Sequence, residues 1–440
     1  MTDLQKKKLI DELMYTTLII DFVDKSIESI TEDNITAESM KLKQSICDET
    51  SLKFGGCIAS EFSVEIFNTE NRTFDAEKLT NKWITVRLIQ TAPSGEYLYP
   101  SNTLYPGAAY PGEVVADNEF YIFSGYIDSV KKDKTDNNVF NLIAYDALAK
   151  LYSKDATAFL FKKLTTAGSE RSIENIFFAV FKKSNNKTID IPYNSGGNTY
   201  LNEVLSNSEK VGTTQIINHS WINSNDKITF GEILKNICEM LGLFGFIQPS
   251  NGVGTFMFID PFSKSTSETY TFYENFTVTE DFNHYYNEII YGNCSVNKTS
   301  DNKVMNFKPE FIDSDISNVD YDISKNILAQ EAFNVTHTMS YLFNGNSGKR
   351  ITGWGIERGY YPITANVDGR LWVKIGDRIN IIKNKTDVNG DYIYKTDKNG
   401  EYELDENGDL IIETETYTSY VLSRTLSGIQ ALTDEIETKG

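Results

Sequence analysis

Histidine is almost missing from this 440-residue chain: only His219, His284 and His337 occur. None lies in an HExxH pattern or has a second histidine within a helical turn or two, which excludes the commonest zinc-hydrolase site. Cysteine is equally sparse. Cys47, Cys57, Cys238 and Cys294 form no CxxC pair and are too scattered for a zinc set or a dense disulfide framework. Free thiols in a reducing cytoplasm are expected. Positive charge is short as well: 42 Lys and Arg against 62 Asp and Glu leave a formal charge of −20, the reverse of a phosphate-binding footprint. Such a charge serves solubility or keeps DNA from sticking. No run of about 18 apolar residues exists, so no transmembrane helix is predicted. The start, MTDLQKKKLIDELMYTTLIIDFV, sets lysines before apolar residues as a signal peptide does. Asp11 and Glu12 break that run, and no small-residue cleavage site follows.

Reaction motifs are lacking too. There is no GxSxG elbow. FNGNSGKR (343–350) offers Gly345, Gly348 and Lys349, but Arg350 stands where a phosphate loop needs Ser or Thr, and the glycines are too close. GWGIERG (353–359) departs from GxGxxG at its last spacing, and both stretches read as turns. DVNGD (387–391) and DENGD (405–409) supply oxygen ligands as calcium loops do, without the downstream bidentate Glu or flanking helices, so hairpin turns are the simpler reading. Among 62 acidic residues nothing singles out a carboxylate pair for glycoside hydrolysis. No enzyme activity, cofactor or metal is expected.

What the chain does hold is aromatic residues, at 12%, which suit strands and interfaces. Residues 3–14 read as a helical arm and 15–23 as a strand. Phe62, Val64 and Ile66 alternate with Ser63 and Glu65, the period of a strand with one buried face, and Gly55-Gly56 just before them permits a turn or bulge. Residues 91–113 repeat Tyr-Pro three times, an exposed loop whose Tyr99, Tyr105 and Tyr110 suit either a glycan or a subunit clasp. Residues 120–151 predict a hairpin with a polar tip near Lys131–Asn138 and a helix from about Asp146. The largely apolar faces of its strands fit a barrel wall covered by another domain or subunit. SIENIFFAVF (172–181) has helical spacing. TFGEILKNICEMLG (229–242) adds a capping box between Thr229 and Glu232, and strands follow at FGFIQ and TFMFID. Residues 371–382 predict one strand with a bulge or tight bend at Gly376-Asp377. NGDYIY, NGEYEL and NGDLII predict a protruding β-ribbon with type I′ turns, acidic over 401–416. A strand through Tyr420 and Leu422, a Leu-Ser-Gly break and a short polar helix close the chain.

Several of these stretches together resemble the baseplate or tail hub proteins of bacteriophages and of contractile injection particles from Gram-positive hosts. They are NITAESMKLKQSICDETSLKFGGCIASEFSVEIF (34–67), FSGYIDSV…FNLIAYDALAKL (123–151), TFGEILKNICEMLGLFGFI (229–247), YYPITANVDGRLWVKIGDRINI (360–381) and VLSRTLSGIQALTDEIETKG (421–440), in that order. Within them the marker positions are Gly55, Gly56, Asp146, Gly376, Asp377, Arg424, Gly428 and Gln430. The resemblance implies a mainly β chain with an α+β insert. A helical arm (1–14) would precede a first tube-like β-barrel domain (15–155), a small α+β domain (156–268) and a second tube-like barrel (269–440) with its ribbon at 384–416. It implies a virion structural protein, made late and assembled in the bacterial cytoplasm. Three copies would form a homotrimer ring between the tail-tube or distal tail protein and a spike or tip. A tape-measure protein would be a neighbour, DNA would pass without specific binding, and no membrane anchor is implied. In many relatives a wall-cleaving or fibre-like domain follows the RTLSGIQ…D segment, so this chain is expected to be a hub without an attached lysin. The alternatives from other classes are a glycan-binding tail-tip adhesin and, behind it, a cell-wall hydrolase.

Overall fold

Alternating apolar residues build the first strands. In β1 (Tyr15–Phe22) Leu18, Ile20 and Phe22 are buried, in β2 (Lys41–Ser45) Leu42 and Gln44, and in β3 (Glu61–Phe67) Phe62, Val64 and Ile66. A short helix α1 (Ala76–Leu79), capped by Asp75, leads into β4 (Trp83–Thr91), β5 (Asn118–Lys132) and β6 (Val139–Tyr145). The computed structural model describes residues 15–47, 56–91, 118–165, 176–177, 180, 193–194, 227–241, 244–259, 266–271, 276–278, 288–291, 293–299, 302–308, 318–321, 364–405 and 407–437. The helical arm, Gly55, the Tyr-Pro loop with Tyr99, Tyr105 and Tyr110, the three histidines, FNGNSGKR and GWGIERG lie outside those residues.

After β6 come α2 (Ala147–Tyr152) and α3 (Thr157–Thr165); Ile176, Phe177 and Val180 are also helical and buried. Next are β7 (Tyr193–Asn194), α4 (Phe230–Leu241), β8 (Phe244–Gln248), β9 (Thr255–Ile259) and β10 (Thr266–Thr271). The capping box is present at α4: Glu232 accepts the Thr229 N–H at 2.7 Å, and Thr229 Oγ1 accepts the Glu232 N–H at 3.2 Å. Strands β7, β9 and β8 form a small sheet, and the β8–β9 turn docks on β4 and β5. There Ser124 Oγ donates to Ser250 O at 2.8 Å and accepts its N–H at 3.0 Å, while Thr85 Oγ1 does the same with Gly252 at 2.9 and 3.0 Å. This insert covers the outer face of β4 and β5, which explains why residues 122–127 are buried on both faces.

The remaining strands are β11 (Phe276–Val278), β12 (Glu288–Tyr291), β13 (Asn293–Thr299), β14 (Asn302–Lys308), β15 (Asn318–Tyr321), β16 (Thr364–Asp368), β17 (Arg378–Asn384), β18 (Thr414–Tyr420), β19 (Ser423–Ser427) and β20 (Thr433–Glu437). The chain is mainly β with an α+β insert, as predicted. Its main sheet, however, runs β1-β4-β5-β6-β3-β2-β19-β20-β16-β11 and unites strands from both ends of the chain. No ladder closes this sheet into a barrel among the described residues. Instead the segment between β1 and β2 makes single bridges, Ile30 to Ile20 in β1 and Ile35 to Ile66 in β3, so the curl is pinned rather than zipped. One core serves both ends: Phe62 stacks on Phe123 at 5.4 Å, and Leu371, Leu426 and Ile429 join it.

Three local expectations are corrected. Residues 371–375 are not strand. Val373 N–H bonds Arg370 O, Asp377 N–H bonds Lys374 O, and Gly376 (φ 78°) turns the chain into β17. Burial of Leu371, Val373 and Ile375 imitates strand alternation in a chain of turns. The closing polar helix is strand β20, whose inward residues are Asp434 and Ile436. The ribbon turns are type I with a left-handed glycine, not type I′. In each, the aspartate carboxylate accepts the N–H groups two and four residues on, which holds the asparagine at negative φ and leaves only Gly390, Gly400 and Gly408 positive.

Candidate functional site

The marker residues within the described part do not converge on a reactive centre. They join the chain ends. Gly56 lies on the backbone of Ile46, whose N–H bonds Leu422 O at 2.9 Å, and its own carbonyl accepts the Gly245 N–H at 2.8 Å. Three parts of the chain meet there. Gly376 N–H and Asp377 O pair with Val421 O and N–H at 2.7 and 2.9 Å, and Asp377 Oδ2 holds the turn through the Lys374 N–H at 2.9 Å. Gly428 (φ 86°) donates to Met40 O at 3.0 Å, and a Cβ there would stand 2.5 Å from Ala431 O. Gln430 then grips the edge of β1: its Nε2 donates to Thr16 O at 2.5 Å and its Oε1 accepts the Thr16 N–H at 3.2 Å. One side-chain amide thereby takes the place of a neighbouring strand and blunts that edge.

Sequence reasoning missed the partners of these residues. Glu38, itself left-handed at φ 58°, accepts the Ile429 and Gln430 N–H groups at 2.8 and 3.0 Å. Arg424, 5% exposed, meets Asp434, fully buried. Nε approaches Oδ1 at 3.2 Å, a second guanidinium nitrogen lies 2.5 Å from Oδ2 as an ionic contact, and the third donates to Val373 O. Nearby, Arg370 pairs with Glu268 at 2.9 Å and lies 4.4 Å over the Tyr270 ring, while Trp372 Nε1 donates to Glu268 at 2.5 Å. Burial raises the Tyr270 hydroxyl, the Asp434 charge adding to it and Arg370 opposing it. Two cations face two anions, so the cluster is neutral and suited to fixing register rather than to chemistry. The cleft beside it, of about 640 Å3, draws Lys43, Glu61, Tyr145, Glu435 and Glu437 from four strands. Among the described residues no group of His, Cys, Asp and Glu could hold a metal ion.

Asp146 is the buried carboxyl that sequence did single out. It caps α2 by accepting the Leu148 N–H at 2.9 Å and also ties that corner to β3 through the Ser60 N–H at 2.8 Å. Burial pushes its pKa up to about 7, against hydrogen bonds from Ser60 and Leu148 that lower it. The folded value exceeds the unfolded one. Its stabilising share is therefore complete below about pH 4 and is lost as pH rises through 7. Urea midpoints of the wild type and Asp146→Asn should accordingly shift in favour of the variant between pH 5 and pH 8. A constant gap across that range contradicts the assignment.

The ribbon titrates the other way. Backbone N–H groups, first of all those of Asp391, Glu401 and Asp409, lower the pKa of Asp387, Asp397 and Asp405. The support from these turns is present above the unfolded carboxylate pKa, about 4, and is lost as pH falls through the lowered values. Amide protection at Asn389, Asn399 and Asn407 should fall below pH 4 while β3 stays protected; equal loss in both rules this out.

No family model and no curated protein matches the chain. Solved structures with a similar chain course include two prophage tail proteins and a secretion component. A 43 kDa tail protein of prophage MuSo2 from Shewanella oneidensis is 11% identical at a TM-score of 0.39, covering 96% of this chain and 97% of that one. The prophage tail protein gp18 of Listeria monocytogenes gives 10% and 0.39, covering 96% and 95%. An E. coli type VI secretion component, described as structurally similar to the T4 tail proteins gp27 and gp5, gives 7% and 0.37, covering 95% and 76%. At these values the likeness is one of chain course, and no residue role passes from them to this chain. No helix among the described residues is long and apolar enough to cross a membrane.

Proposed function

We propose that this chain is a structural hub subunit of a phage tail or related injection particle. Three copies would form a ring that joins the tail tube or distal tail protein to a spike or tip, with a tape-measure protein as a further neighbour. The observation that carries this reading is the use made of the marker residues. Gly56, Gly376, Asp377, Arg424, Gly428 and Gln430 weld the two chain ends into one sheet, as a part under axial load requires. In this reading residues 15–155 and 269–440 are the two tube-like units and 156–268 the insert between them. Acidic side chains facing the channel would repel passing phosphates.

The test is where the chain sits and what it leaves intact. Antibody raised against it should label one end of purified tails, and the protein should clear no zone in a peptidoglycan gel. Label along the whole tail, or none, would overturn the hub reading. A cleared zone would favour the hydrolase. Wall binding lost on changing Tyr99, Tyr105 and Tyr110 to Ala would favour the adhesin.

A further inference from the structure

Between β17 and β18 the ribbon folds into a unit with an unusual means of support. Two closed rings of backbone hydrogen bonds hold it. Lys385 N–H donates to Glu413 O, Glu413 to Ile393 and Ile393 to Lys385, at 2.8, 2.7 and 3.0 Å. Lys395 donates to Ile411, Ile411 to Glu403 and Glu403 to Lys395, at 2.8, 3.1 and 3.0 Å. Three short hairpins with equivalent turns radiate from this stem, bridged at Thr386–Tyr392, Thr396–Tyr402 and Leu404–Leu410.

The unit has no core of its own. No described residue from 382 to 418 is buried. Six of the nine exposed large hydrophobic side chains among the described residues are here: Val388, Tyr392, Ile393, Tyr402, Leu404 and Leu410. Isolated hairpins are marginal in water, because ordering each residue costs conformational entropy and little apolar area is gained in return. Tyr392, Tyr402 and Leu410 follow their turns at the same position in each hairpin, so the exposure is systematic. Exposed apolar side chains concentrated in one coreless unit point to an interaction surface.

Charge selects which partner. From 384 to 416 ten acidic residues face three lysines, a net of −7, and the whole chain carries −20. A second copy would bring like charge against like. Aliphatic Val388, Leu404 and Leu410 have no use in stacking on sugars, whereas a protein socket buries them. We infer that the 384–416 ribbon is a docking knob for another protein whose apolar socket is rimmed by lysine and arginine. This does not depend on the ring.

Site-specific photocrosslinking in the native source cells tests it. A benzoylphenylalanine replaces Tyr402 or Leu410, with exposed Lys78 in α1 as the control position. The expected result is one adduct from both ribbon positions, mapping by peptide sequencing to an apolar site flanked by Lys or Arg on a different chain. Neutralising Asp391, Glu401 and Asp409 together (D391N, E401Q, D409N) should cut its yield roughly fivefold or more, as should about 0.5 M salt. Those three serve the turns through backbone N–H groups, so the fold is kept. Adducts to a second copy, to wall glycan, or to an acidic surface would overturn the inference. So would yields no higher than at Lys78, or yields indifferent to both charge and salt.

Discussion

Replacing Arg424 by methionine should destabilise the protein by about 3–5 kcal/mol, the cost of leaving one member of a buried ion pair alone. Asp434 would lose its cation at full burial, Val373 O would lose a donor, and the β19–β20 hairpin would lose its tie to the 370–377 turns. Adding Asp434→Leu to the same chain should recover much of the loss, because a paired removal leaves no stranded charge. Urea unfolding of the wild type, the single variant and the double variant decides this. A single variant within about 1 kcal/mol of wild type, or a double variant worse than the single by the full amount, contradicts a structural role for the pair.

The second large effect is expected at Gly56. A Cβ there would overlap the Ile46 carbonyl, and backbone cannot rotate out of the way as a side chain can. Gly56→Ala should therefore cost at least the roughly 1–3 kcal/mol typical of overpacking, disturbing the contact with Ile46, which itself bonds Leu422 O, and the bond from Gly245. Gly252 is a useful comparison. Its φ of 133° makes a side chain strained, yet nothing lies within 4 Å of a Cβ built there, so only backbone strain is added. Soluble yield and thermal midpoint should fall far more for Gly56→Ala than for Gly252→Ala. Similar falls would mean that the 46–56 contact carries no particular load.

Much of the fold was legible in the sequence because single-face burial leaves a period. Phe62, Val64 and Ile66 predict β3, Thr229 and Glu232 predict the start of α4, and the Asn-Gly repeats predict the ribbon. The failures have three physical sources, and the first is that polar residues are buried with distant partners. Asp434 breaks the apolar alternation of β20 and makes TDEIE look helical, and only Arg424 ten residues earlier explains it. Residues 371–375 keep strand parity although successive turns carry them, since burial alone does not tell turn from strand. The pairing of β2 with β19 spans nearly the whole chain and has no local signature. Of the marker positions named from sequence, the structure describes Gly56, Asp146, Gly376, Asp377, Arg424, Gly428 and Gln430. Their partners Glu38 and Asp434 were not read from sequence, nor was the neighbouring Arg370–Glu268 pair.

The proposed hub would close as a ring of three copies. Light scattering on the purified protein over a wide dilution series tests it most directly. The account predicts a stable species of three times the 49.8 kDa chain mass. A monomer at every concentration, in the presence as well as the absence of a candidate tail-tube protein, would contradict it.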